Sequence, residues 1–122
     1  MPESELYRQG IELLRKMYGN GVGDLDLPLP ENDLAQKEWT AWCYGHMMQE
    51  RGGIDLQTRA LTAISMLTCI GADELIRTWA QGALSLGCNA DEIREAIITM
   101  QIYAGFPRMK QALVAAQDIL KE

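Results

Sequence analysis

The sequence predicts an all-α protein, a compact bundle of about six helices, and three observations carry that prediction. Apolar residues recur three and four apart through six separate stretches, the spacing that lines one face of a helix. No stretch shows the strict alternation of a half-buried strand. Glycine and proline punctuate the chain where those stretches end, most densely over residues 19–30, at Gly52-Gly53 and at Gly105-Phe106-Pro107.

Taken in order, residues 3–18 suit a first helix with Leu6, Leu13, Leu14 and Met17 along one side. Residues 19–30 hold three glycines and two prolines and read as a surface loop, because the helix before them is too small to fold alone. A second helix is expected from Asn32 or Asp33 to about Gln49, with Trp39, Trp42, Cys43, His46 and Met47 as a dense apolar group around the lone histidine. Asp55 caps a third helix over 56–70, which is apolar nearly all round (Leu61, Ala63, Ile64, Met66, Leu67, Cys69, Ile70). A helix with no polar face is usually buried in a core or an interface. The fourth, 72–86, spaces Leu75, Trp79, Ala83 and Leu86 helically and stops at Gly87, a natural left-handed cap. The fifth, 90–104, opens on Asn89 with Glu92 three residues on, a capping-box spacing, and carries Ile93, Ala96, Ile97, Met100 and Ala104 on one face. Pro107 suits the first turn of the sixth, which runs to Leu120 and buries Met109, Leu113, Ala116 and Leu120.

A length of 122 residues fits one domain over 1–122 with a small but real core, and 48% apolar residues fit a globular chain. The net charge of -6, with acids and bases interspersed, argues against nucleic-acid binding, which needs a concentrated basic surface. No apolar run approaches the ~20 residues that span a bilayer. The polar, acidic start MPESELYRQG is no signal peptide, so a cytoplasmic protein with reduced thiols is expected. Cys43, Cys69 and Cys88 form no CxxC, so neither a redox dithiol nor a zinc knuckle is suggested. One histidine in the whole chain excludes a multi-histidine metal site within a subunit.

Asp55-x-x-Thr58-Arg59, Gly82-Ala83-Leu84 with Gly87 after it, Asp91-Glu92-Ile93-Arg94-Glu95 and Tyr103-Ala104-Gly105-Phe106-Pro107 form a pattern over residues 55–107. With that pattern the chain resembles the carboxymuconolactone decarboxylase family. The resemblance reaches back more weakly to Tyr44-Gly45 and covers roughly residues 35–120. It implies an alkylhydroperoxidase-like subunit built round a helical hairpin and assembling as a homotrimer or homohexamer. Two activities are implied. One branch decarboxylates gamma-carboxymuconolactone without metal or organic cofactor; the other uses a CxxC, a following histidine and an upstream glutamate as a peroxidatic thiol relay.

This chain departs from both patterns. The two cysteine positions fall on Ala72 and Leu75, the histidine on Trp79 and the glutamate on Ala60. A thiol relay without its thiols is not a relay, so peroxidase chemistry is set aside. Where family members often carry an acid after the glycine matching Gly45, this chain has His46.

Decarboxylation of such a lactone needs a donor for the developing oxyanion, a group that delivers a proton to carbon, and a dry wall. His46 is the one side chain whose ordinary titration lies near neutrality, which makes it the catalytic candidate. Trp79 offers an indole N–H and a large apolar face, Tyr103 a hydroxyl donor, and Arg59 a cation for a substrate carboxylate or for an ion pair with Glu95 or Asp55. Trp42 and Cys43, on the same helix as His46, are further substrate-binding candidates, and Cys43, three residues before His46, is otherwise a thiol partner for the imidazole or a small apolar residue. The expected function is a cofactor-independent lyase acting on a carboxylated lactone or related unsaturated acid. The alternatives are a non-catalytic ligand-binding or assembly member of the family, or an isomerase or cyclase using the same pocket.

Overall fold

A computed structural model describes residues 4–19 and 34–121. The loop expected over 20–30 and the second helix's expected start at Asn32 or Asp33 lie outside the described residues. Every regular element among the described residues is helical, and none is a strand. The chain divides into two compact units, residues 1–56 and 57–122.

The first unit begins with α1, Glu5–Tyr18. Ser4 caps it, its hydroxyl accepting the Tyr7 N–H at 3.0 Å. Leu13, Leu14 and Met17 are buried as expected, and Tyr7 and Gly10 join them. α2, Leu34–Trp39, runs straight into a π-helix, Thr40–Glu50. The second helix was expected to keep the α-helical repeat throughout, and this corrects it. At its end the Arg51 N–H donates to the His46 carbonyl five residues back, at 2.9 Å. The wider turn moves the inward face in steps of four, through Thr40, Tyr44 and Met48 with Gly45. Trp39 and Trp42, expected in the apolar group, are therefore 52% and 55% exposed.

Two glycines set how closely α1 and the π-helix approach. A Cβ on Gly10 would meet the Thr40 carbonyl oxygen at 2.4 Å, and one on Gly45 would meet the Leu6 carbonyl oxygen at 2.1 Å. Both positions sit inside helices, where glycine costs about 1 kcal/mol relative to alanine. Close contact between the two backbones offsets that cost.

The second unit holds α3 (Leu56–Ile70), α4 (Asp73–Ser85), α5 (Ala90–Thr99), α6 (Gln101–Ala104) and α7 (Phe106–Ala116). α3 and α4 both end in left-handed glycines with the paired bonds of a Schellman motif. At Gly71 (φ 74°) the bonds run from Gly71 N–H to Thr68 and from Ala72 N–H to Leu67; at Gly87 (φ 106°) they run from Gly87 N–H to Leu84 and from Cys88 N–H to Ala83. The capping box at Asn89 and Glu92 forms in both directions, at 2.8 and 2.9 Å. The fifth helix breaks at Met100, which closes onto Ile97 and divides α5 from α6.

Ala60, Ile64, Ile76, Ala80, Ala83, Ile93, Ile97, Ala112 and Ala116 have no exposed surface, and they form the core of this unit. Ser65 ties α3 to α5 through the Ala96 carbonyl at 3.0 Å, and Gln57 reaches the Leu86 carbonyl at 2.8 Å. Arg77 grips Asp118 at 2.8 Å. α3, expected to be apolar all round, is buried along Ala60, Ile64, Leu67 and Thr68 only, and it leaves Met66 and Ile70 more than half exposed.

Candidate functional site

The π-helix carries the chemically distinctive side chains of the first unit. His46 and Glu50 are four residues apart and so share a face. The imidazole Nδ1 lies 2.8 Å from Glu50 Oε1, with the side chains 37% and 50% exposed. Trp42 stands four residues before His46, and its ring pairs with Trp39 at 5.8 Å between centroids, tilted by 47°. These residues give an imidazole held by a carboxylate, with the half-exposed indole of Trp42 on the same helix and that of Trp39 at the end of α2. Such a set can move a proton beside a bound organic acid.

Cys43 does not enter this set as a nucleophile. Burial pushes its thiol up to about 11, so it stays protonated at neutral pH, and a thiol in that state is a weak nucleophile. Burial likewise raises the Tyr44 and Tyr18 hydroxyls well above the usual phenol range, with the Cys43 charge adding to both. The partner made by His46 is Glu50, a residue the sequence reading passed over. An acid four residues after the lone histidine, on a predicted helix, was the signal that could have found it.

The other three candidates lie in the second unit on separate helices. Trp79, on α4, is 9% exposed, and Ile76, Ala80 and Ala83 are buried on the same helix. Tyr103, on α6, is 82% exposed. Arg59 is half-buried on α3. A groove of about 410 Å3 opens at the α3–α4 turn, lined by Gly71, Ala72, Asp73, Glu74 and Leu75. The two positions where a peroxidatic dithiol would fall, Ala72 and Leu75, thus border a groove but present a methyl and an isobutyl group. Among the described residues, no three His, Cys, Asp or Glu side chains are grouped to hold a metal ion. No described helix is long and apolar enough to cross a membrane.

Residues 34–118, from the start of α2 to just past α7, match the sequence profile of the carboxymuconolactone decarboxylase family. The chain belongs to that family. The match takes in the π-helix with His46 and Glu50, and α1 lies ahead of it. A 4-carboxymuconolactone decarboxylase from Acinetobacter baylyi is 25% identical over 124 residues, covering 100% of this chain and 92% of its own length. A nitrosuccinic acid decarboxylase, npaB, from Metarhizium robertsii is 25% identical over 119 residues, covering 96% of this chain and 82% of its own. An uncharacterized 15.0 kDa protein from Paracoccus denitrificans is 36% identical over 74 residues, 59% of this chain and 55% of its own. Two of these three family relatives are thus named as decarboxylases, of two different acids.

Proposed function

We propose that this chain is a cytoplasmic decarboxylase, working without metal or organic cofactor, that acts on a carboxylic acid whose C–CO2 bond is activated by an electron-accepting group. The observation that carries this reading is the His46–Glu50 pair at 2.8 Å, set within the part of the chain that matches the family. The two decarboxylase relatives support the reaction class. Their named substrates differ in the accepting group, a lactone in one and a nitro group in the other, which leaves the bond to the carboxylate as the shared feature.

In the proposed reaction the bond from carbon to the carboxylate breaks and carbon dioxide leaves. The electron pair passes to the accepting group, where a donor such as the Trp42 indole N–H stabilises the charge. The protonated His46 then gives its Nε2 proton to carbon, and solvent restores that proton before the next turnover. Trp79 lies in the core rather than at an exposed surface, so we assign it a packing role in the substrate-bearing fold.

The fold is taken to be the family's alkylhydroperoxidase-like arrangement, with copies associating as a trimer or hexamer. Met66, Ile70, Leu75, Ile102, Tyr103 and Phe106, all in the second unit and all close to half exposed or more, support association. A contact of 3.4 Å between Cys69 and Met100 and the approach of Arg108 to Gly71 bring the ends of α3, α5 and α7 together near several of them.

The test is carbon dioxide release by the purified chain from 4-carboxymuconolactone, nitrosuccinate and related unsaturated lactone acids. Release from at least one, lowered about 100-fold or more in His46→Gln, supports the reading. A second reading, a non-catalytic binding member, is favoured by the apolar residues at the family's usual acid–base positions, Ala60 and Trp79. Tight binding of these acids with no release would put that reading in its place.

A further inference from the structure

A histidine with a proton on one ring nitrogen has two neutral forms, and the hydrogen bond made by one nitrogen decides which form is present. Here Glu50 Oε1 lies 2.8 Å from His46 Nδ1. A carboxylate has no proton to donate, so the short contact requires that Nδ1 carry the hydrogen. We propose that Glu50 is a positioning residue: it holds His46 as the Nδ1–H form and leaves Nε2 as the atom that gives and takes the proton. This rests on the assignment of His46 to acid–base chemistry.

Three features of the chain carry the inference. The two side chains lie one helical turn apart on one element, so their approach needs no other part of the chain to hold it. The π-helix itself is anchored at this end, because the His46 carbonyl accepts the Arg51 N–H at 2.9 Å. The His46 backbone is thereby fixed at the residue whose ring must be aimed. Cys43, the other candidate partner, stays a neutral thiol. The carboxylate also offers the imidazolium a charged partner once Nε2 has taken its proton. The ring returns to the same Nδ1–H form each time Nε2 releases it, so the reacting nitrogen keeps its place from one turnover to the next.

The chain has a single histidine, so its imidazole nitrogens give one pair of resonances that need no assignment by mutation. The experiment is nitrogen-15 spectroscopy of the untagged protein with His46 neutral, compared with Glu50→Ala and Glu50→Gln. The parent should show a protonated Nδ1 and a bare Nε2. Glu50→Ala should shift the balance to the Nε2–H form that a solvated histidine side chain prefers in water. Glu50→Gln keeps an oxygen acceptor and should fall between them. A parent spectrum in the Nε2–H form, or one unchanged in Glu50→Ala, overturns the proposal. Turnover on a substrate identified by carbon dioxide release then separates the two claims. Glu50→Ala should lower kcat about tenfold or more with KM little changed, as expected when the reacting nitrogen is misplaced. A tautomer shift with kcat unaffected overturns the positioning role. If His46→Gln also turns over at the parental rate, it is the acid–base assignment that fails.

Discussion

The imidazole of His46 lies beside the Glu50 carboxylate, whereas burial makes a neighbouring thiol inert. Cys43 lies three positions away and is the obvious thiol to suspect, yet burial lifts its ionisation to about 11. The thiolate absorbance that disappears on Cys43→Ala should therefore titrate with a midpoint near 11. A midpoint near the ordinary thiol value of about 8.5 would contradict the burial. Stability follows with a definite sign. The folded chain holds this proton to higher pH than the unfolded chain does, so the contribution is complete below the unfolded value and is lost as pH rises from about 9 to about 11. Cys43→Ala should flatten that part of the stability profile. The same variant should keep the proposed carbon dioxide release, since a thiol protonated at neutral pH is a weak nucleophile.

At the scale of elements, the crossing of α1 with the π-helix rests on Gly10 and Gly45. Gly45→Ala would gain helix propensity but force a Cβ to within 2.1 Å of the Leu6 carbonyl oxygen, which is backbone and cannot swing aside. We expect a net loss of roughly 1–3 kcal/mol in denaturant unfolding, the usual cost of overpacking. An unchanged or higher stability would mean that the two helices do not pack this closely. Caps and breaks were legible in the sequence because they are local: Asn89 with Glu92 and the stop at Gly87 formed where the residues said they would. The π-helix was not legible. Trp39, Trp42 and His46 fit a helical repeat of 3.6 residues, and only the approach of α1 reveals that the inward face is Thr40, Tyr44 and Met48 instead. His46 was found as a candidate because it is the sole histidine. Glu50 was missed because an exposed acid on a helix looks like solvated surface until its distance to the ring is known. Trp79 is large enough to wall a pocket or to fill a core, and the sequence cannot distinguish those uses.

For the whole molecule, two proposals rest on surfaces and family. The proposed association would cover exposed apolar side chains of the second unit, Ile102, Tyr103 and Phe106 among them, and each Å2 of apolar surface removed from water contributes about 25 cal/mol. A stable interface buries roughly 1,200–2,000 Å2 in total. Native mass measurement should find a trimer or hexamer, and Ile102→Lys with Phe106→Lys should shift it toward monomer; a monomeric parent at micromolar concentration would contradict the assembly. Reaction class is the larger claim, and the most direct measurement of it is carbon dioxide release from acids labelled with carbon-13 at the carboxyl group. The parental chain and His46→Gln would be assayed side by side on 4-carboxymuconolactone, nitrosuccinate and related unsaturated lactone acids. Labelled carbon dioxide from at least one acid, slowed about 100-fold or more by the substitution, is the predicted result. Equal release from both proteins, or none from any acid that binds, would contradict it.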